Sequence, residues 1–147
     1  MDNLSKLAER LKELMFDKGV NAPKMSEALG IGKNTITRYL QGVSSPKYAI
    51  LIKLIDYFHC SAGFLLGLAE QPLYEKNFLP VQPFAEQFRK AIYDCKTTQY
   101  ALQQKMGVSW NSFHKWLNGK ALPDCDSLIN IASGLECSVD YLLGREK

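Results

Sequence analysis

Histidine is scarce in this chain, with only two among 147 residues, and the four cysteines stand singly at Cys60, Cys95, Cys125 and Cys137. No two of them are separated by two residues and no histidine lies at metal-ligand spacing, so there is no ligand set from which to build a metal site. Cys60 and Cys137 occupy equivalent places in apolar surroundings and read as small buried hydrophobes in a reducing cytosol. No apolar run approaches the roughly 18 residues a membrane-crossing helix needs, and no basic start followed by an apolar stretch marks an export signal. A cytoplasmic location without membrane contact is expected. No paired carboxylates and no nucleophile-base constellation can be found either, so no catalytic residue, cofactor or small-molecule ligand is assigned and an enzyme is the least supported class.

Acidic residues are absent from two stretches, between Glu27 and Asp56 and between Asp94 and Asp124. The first holds Lys33, Arg38, Lys47 and Lys53, and the second holds Lys96, Lys105, Lys115 and Lys120. The net charge of +3 is too small to argue a nucleic-acid partner, but its distribution concentrates positive charge on one segment of each half. Taken alone, such a run is more often just a solvated face.

Those two stretches are copies of each other. Residue 7 aligns with residue 84, and the offset of 77 holds without a gap to Gly67 against Gly144. Gly30/Gly107, Asn34/Asn111, Leu40/Leu117, Gly42/Gly119, Pro46/Pro123 and Cys60/Cys137 are identical pairs. Glycines, prolines and apolar positions in register over some sixty residues mark a tandem duplication of one small domain. The expected division is a first domain over 1–68, a linker over 69–83 and a second domain over 84–147.

Each copy reads as five short helices. In the first, Asp2 or Asn3 caps a helix with the stripe Leu4, Leu7, Leu11, Leu14 and Met15, ending before Gly19. Asn21 caps a second with Pro23 in its first turn and Met25, Ala28 and Leu29 on its apolar face. Gly30 is expected in the left-handed conformation that lets the second and third helices meet steeply. The third helix, from Gly32 to Gly42, places Ile36, Tyr39 and Leu40 on its back and Lys33, Asn34, Thr37, Arg38 and Gln41 on its front. Leu51, Leu54, Ile55 and Phe58 form the core face of a fourth, and Ser61 caps a last turn with Phe64, Leu65 and Leu66. The second copy repeats this with Phe84, Phe88, Ala91 and Ile92, then Leu102 and Met106 behind the cap Thr98, Phe113, Trp116 and Leu117 behind Ser109, and Leu128, Ile131, Ala132 and Leu135 behind Asp124. Each domain is small enough to need nearly all of these apolar groups.

The segment 69–83 contains Pro72, Pro80 and Pro83 and, extended, could reach about 50 Å, enough to span two half-sites one DNA turn apart. Tyr74, Phe78, Leu79 and Val81 make it too apolar for a free tether, so part of it is expected to pack on one or both domains.

Leu29-Gly30-Ile31, Leu40-Gln41-Gly42, Pro46 and Leu65-Leu66-Gly67, with Met106-Gly107-Val108, Trp116-Leu117-Asn118-Gly119, Pro123 and Tyr141-Leu142-Leu143-Gly144, together resemble the phage-repressor-like helix-turn-helix family of the xenobiotic-response-element type. The resemblance covers both copies, leaving out only the linker and the extreme termini. It implies an all-α chain of two tandem five-helix lambda-repressor-like domains, of bacterial or phage kind, that binds double-stranded DNA as a transcriptional regulator, in the first instance a repressor. Carried over by position, the base-reading candidates are Lys33, Asn34, Thr37, Arg38, Trp110, Asn111, His114 and Lys115. Phosphate contacts are expected from Gln41, Lys47, Lys53, Gln99, Asn118 and Lys120. The sequence departs from the family at Ala22, where a phosphate-binding Gln is usual, and at Gln103, where a small residue lets the second helix pack on the third.

The chemistry of the front face supports DNA independently, since Asn can bond adenine through two atoms in the major groove and Arg or Lys can bond guanine likewise. Trp110 can touch a thymine methyl or sugar, or cover a neighbouring domain. The competing class is a protein-interaction module in which one copy has lost DNA contact, and a homodimer stands as an open alternative to action as a single chain.

Overall fold

The computed structural model describes residues 2–146 and shows ten helices and no strand among them. The chain divides into two compact units, Met1–Lys76 and Asn77–Lys147. The first unit contains α1 (Asn3–Lys18), α2 (Ala22–Leu29), α3 (Lys33–Leu40), α4 (Tyr48–Phe58) and α5 (Ala62–Leu65). The second contains α6 (Phe84–Asp94), α7 (Gln99–Met106), α8 (Trp110–Leu117), α9 (Cys125–Leu135) and α10 (Val139–Leu142).

Local chemistry sets these boundaries. The side chains of Asp2, Asn21, Ser61, Thr98, Ser109 and Asp124 each accept a bond from the backbone N–H three residues on, satisfying a donor that the helix itself cannot. Gly30 and Gly107 close α2 and α7 in the left-handed region, at φ of 68° and 70°, where a Cβ would be strained. That turn carries the chain from one helix of each pair into the next.

In the first unit Leu7, Leu11, Leu14, Met25, Ile36, Tyr39, Leu51, Leu54, Ile55, Phe58 and Phe64 are buried together. In the second, Phe84, Phe88, Leu102, Phe113, Trp116, Leu128, Ile131 and Leu142 are buried, with Phe88 edge-on to Phe113 at 5.3 Å between centroids. Three expectations are corrected. Ala28 is exposed, because the eight-residue α2 turns only Met25 fully inward. Leu4, Leu29, Leu40 and Met106 are half-buried at helix ends. Cys137 is half-exposed after the left-handed Glu136, whereas Cys125, where the first copy has Tyr48, is the buried thiol of the second unit.

Residues 69–76 fold onto the first unit. Arg10 donates to the Ala69 carbonyl at 3.3 Å, Ser61 N–H to the Pro72 carbonyl at 2.8 Å, and the Tyr74 hydroxyl to Asp17 at 2.8 Å. Residues 77–83 lie on the second unit, where Leu79 and Gln82 N–H donate to the carbonyls of Arg145 and Leu143. Arg145 is buried there, paired with Asp140 at 2.5 Å, its guanidinium over the Phe78 ring at 4.1 Å.

Candidate nucleic-acid interface

The apolar back of α3 anchors it: Ile36 is wholly buried and Tyr39 nearly so. Its other side is left to solvent, and Lys33, Asn34, Thr37, Arg38 and Gln41 are all exposed on it. At their one, two, five, six and nine order along the chain these five side chains form a single strip over two turns. The Thr37 hydroxyl donates to the Lys33 carbonyl at 2.9 Å, so its proton is committed to its own helix and it offers outward a methyl group and an acceptor oxygen. Gly32 caps α3 without a side-chain bond, which leaves the first N–H groups of the helix open to an outside acceptor.

The second copy builds the same strip differently. Phe113, Trp116 and Leu117 are buried behind α8, while Trp110, Asn111 and Lys115 are exposed and His114 is half-buried. Trp110 is not a free probe. Its ring stacks on the buried Phe113 at 5.7 Å with an interplanar angle of 8°, and His114 lies 4.5 Å away, so one face is covered and 44% of the residue stays accessible. Asn111 stands beside it as Asn34 stands beside Lys33. Ser109 and Ser112 hydroxyls bond each other at 3.0 Å and close the start of α8, unlike the open start of α3.

The phosphate candidates divide. Lys47 is exposed and caps α4 with no side-chain bond, Gln41 and Asn118 are exposed at the C-terminal ends of α3 and α8, and Lys120 is exposed just beyond Gly119. Gln99 is exposed as the first residue of α7. Lys53 has a structural bond that periodicity gave no sign of: its ammonium donates to the Leu29 carbonyl at 3.3 Å, at the negative end of α2. Where the first copy has Lys47 and Ala49, the second has Asp124 and Asp126, the former capping α9 through Ser127 N–H at 2.8 Å. That corner carries positive charge in the first copy and negative charge in the second.

Thiol chemistry is suppressed at Cys125 and Cys137. Burial, with Asp124 and Asp126 nearby, pushes the Cys125 thiol up to about 12, and burial with Cys95 and Glu146 nearby pushes Cys137 up to about 11. Neither is a thiolate at neutral pH. Among the described residues no group of three His, Cys, Asp or Glu side chains could hold a metal ion, and no helix is long and apolar enough to cross a membrane.

Two helix pairs, each joined through a left-handed glycine and each exposing a polar third helix on an apolar back, define a helix-turn-helix protein. The chain belongs to the family described as the Cro/C1-type HTH DNA-binding domain, whose model matches it twice, over residues 10–70 and 88–147. It is similar to the cryptic phage CTXphi transcriptional repressor RstR of Vibrio cholerae serotype O1 (strain ATCC 39315 / El Tor Inaba N16961), at 40% identity over 57 residues, 39% of this chain and 48% of that protein. It is also similar to the uncharacterized HTH-type transcriptional regulator YqaE of Bacillus subtilis (strain 168), at 35% identity over 63 residues, 43% of this chain and 54% of that protein. The chain thus spans about half the length of the curated relatives it matches. No solved structure matches it significantly.

Proposed function

We propose that this chain is a sequence-specific double-stranded DNA-binding transcriptional regulator, acting as a repressor in the cytoplasm, that lays α3 and α8 in the major groove. The observation that carries it is the recurrence, in both units, of an exposed Asn near the start of a third helix whose back is locked into the core. The family membership and the repressor among the relatives support it. Lys33, Asn34, Thr37 and Arg38 read bases in one half-site; Trp110, Asn111, His114 and Lys115 read them in the other. Each well-formed bidentate pair contributes about 1–3 kcal/mol of discrimination. Lys47, Lys53 and Lys120, with Gln41, Gln99 and Asn118, set the register on phosphate. Two readers in one chain give the two-site grip that a homodimer gives to single-copy proteins.

The acidic corner at Asp124 and Asp126 and the half-covered Trp110 favour a second reading, in which the second unit docks a protein partner and the first alone holds DNA. Binding of the full chain to duplex DNA across a salt series separates the two. With three lysines on phosphate, log K falls against log salt with a slope of about −3 or steeper, at roughly −0.9 per neutralised phosphate. A slope of about −2, from Lys47 and Lys53 without Lys120, would support the partner-docking reading instead.

A further inference from the structure

Two positions at which the copies differ lie on opposite sides of the second helix of the motif: Ser26 against Gln103, and Tyr57 against Gly134. In the first unit α2 packs closely on α3 and less on α4. In the second, α7 packs chiefly on α9 and hardly reaches α8. A Cβ at position 134 would stand 2.8 Å from Leu102 Cδ1 and 3.6 Å from Met106 Cγ, so the missing side chain is what admits α7 to α9. Lys105 fastens that approach by donating to the Gly134 carbonyl at 3.1 Å. On the other side the half-buried Gln103 side chain donates to the Val108 carbonyl at 2.5 Å, bridging α7 to the start of α8. The shorter Ser26 has no such reach.

We propose that Gln103 and Gly134 are positioning residues that set the placement of α8 relative to α7, so that the second domain docks on its half-site differently from the first. This rests on the assignment of α8 to the groove. The phosphate reached from the start of α7, where Gln99 stands, then lies at a different offset from the bases under Asn111 than the phosphate reached from the start of α2 does from the bases under Asn34. The two half-sites share the base under Asn34 and Asn111 but not backbone register.

Phosphate ethylation interference with the full wild-type chain, on a duplex selected from random DNA, measures those offsets directly. Unequal offsets in the two halves are expected, and equal ones would overturn the proposal. Protection of one half alone overturns the docking of α8, and no selective binding overturns the DNA assignment beneath it. Gln103→Met, which keeps length without a donor, and Gly134→Ala, which pushes on Leu102, should each move the interfering phosphates of the second half only. A pattern unmoved in both variants contradicts the positioning role.

Discussion

Replacing Arg145 by Met removes one half of a buried ion pair and leaves the other behind. The side chains of Arg145 and Asp140 are 2% and 6% exposed, so the Asp140 carboxylate would stay in the interior without its cation. The guanidinium also covers the Phe78 ring at 4.1 Å, a contact Met can partly replace by apolar surface. Stranding a buried charge costs about 3–5 kcal/mol. A unit of about 70 residues has a total stability of roughly 4–10 kcal/mol, so the second unit should become marginal at 37 °C while the first keeps its own transition. The first copy shows how the same positions do without charge, since it has Gly63 and Leu68 there. The double change Asp140→Gly with Arg145→Leu should therefore cost less than Arg145→Met alone. Thermal unfolding followed by circular dichroism, with amide NMR spectra to tell the units apart, reads both numbers. A single variant that loses under about 1 kcal/mol, or a double that loses as much as the single, refutes the reasoning.

Gly30→Ala should cost about 1–2 kcal/mol, all of it conformational, because φ is 68° and an added Cβ meets nothing within 4 Å; a thermal shift near zero would mean that the turn is not held left-handed. Tyr141→Phe removes the bond from the Tyr141 hydroxyl to Asp94 at 2.6 Å, which, ahead of Lys90, holds the Asp94 carboxyl below its usual range and with burial pushes Tyr141 up to about 12. A lowered carboxyl adds stability above its ordinary value that is lost as pH falls through the folded value, and a raised phenol adds stability below pH 10 that is lost toward 12. The gap in melting temperature between wild type and variant should therefore be widest near neutrality and close at both ends; a gap constant from pH 3 to 8 would show that the bond does not carry the shift.

The duplication, the five-helix plan and the buried faces were legible because they are periodic and local. Caps at Asp2, Asn21, Thr98 and Asp124 announce themselves by residue type just before an apolar stripe, and Ile36, Tyr39, Phe113 and Trp116 by their spacing. Ala28 was misplaced because an eight-residue helix turns too few residues inward for spacing to decide between neighbours. What periodicity does not carry is the choice of distant partner. Nothing along the chain pairs Phe78 with Arg145, sends Lys53 to the Leu29 carbonyl, or divides 69–83 between two units at Lys76. Gln103 stood out as a departure in sequence, yet its consequence depended on Gly134, a helical glycine whose meaning appears only when Leu102 is seen against it.

Selection of bound sites from random duplexes, done with the wild-type chain and with Asn34→Ala plus Asn111→Ala, tests the central claim most directly. The wild type should return a bipartite site with an adenine common to both halves. The double variant should lose preference at that base by roughly 5- to 150-fold while non-specific affinity changes little. A site that needs only one half, no preference at low salt, or substitutions that alter neither preference nor affinity would contradict the account.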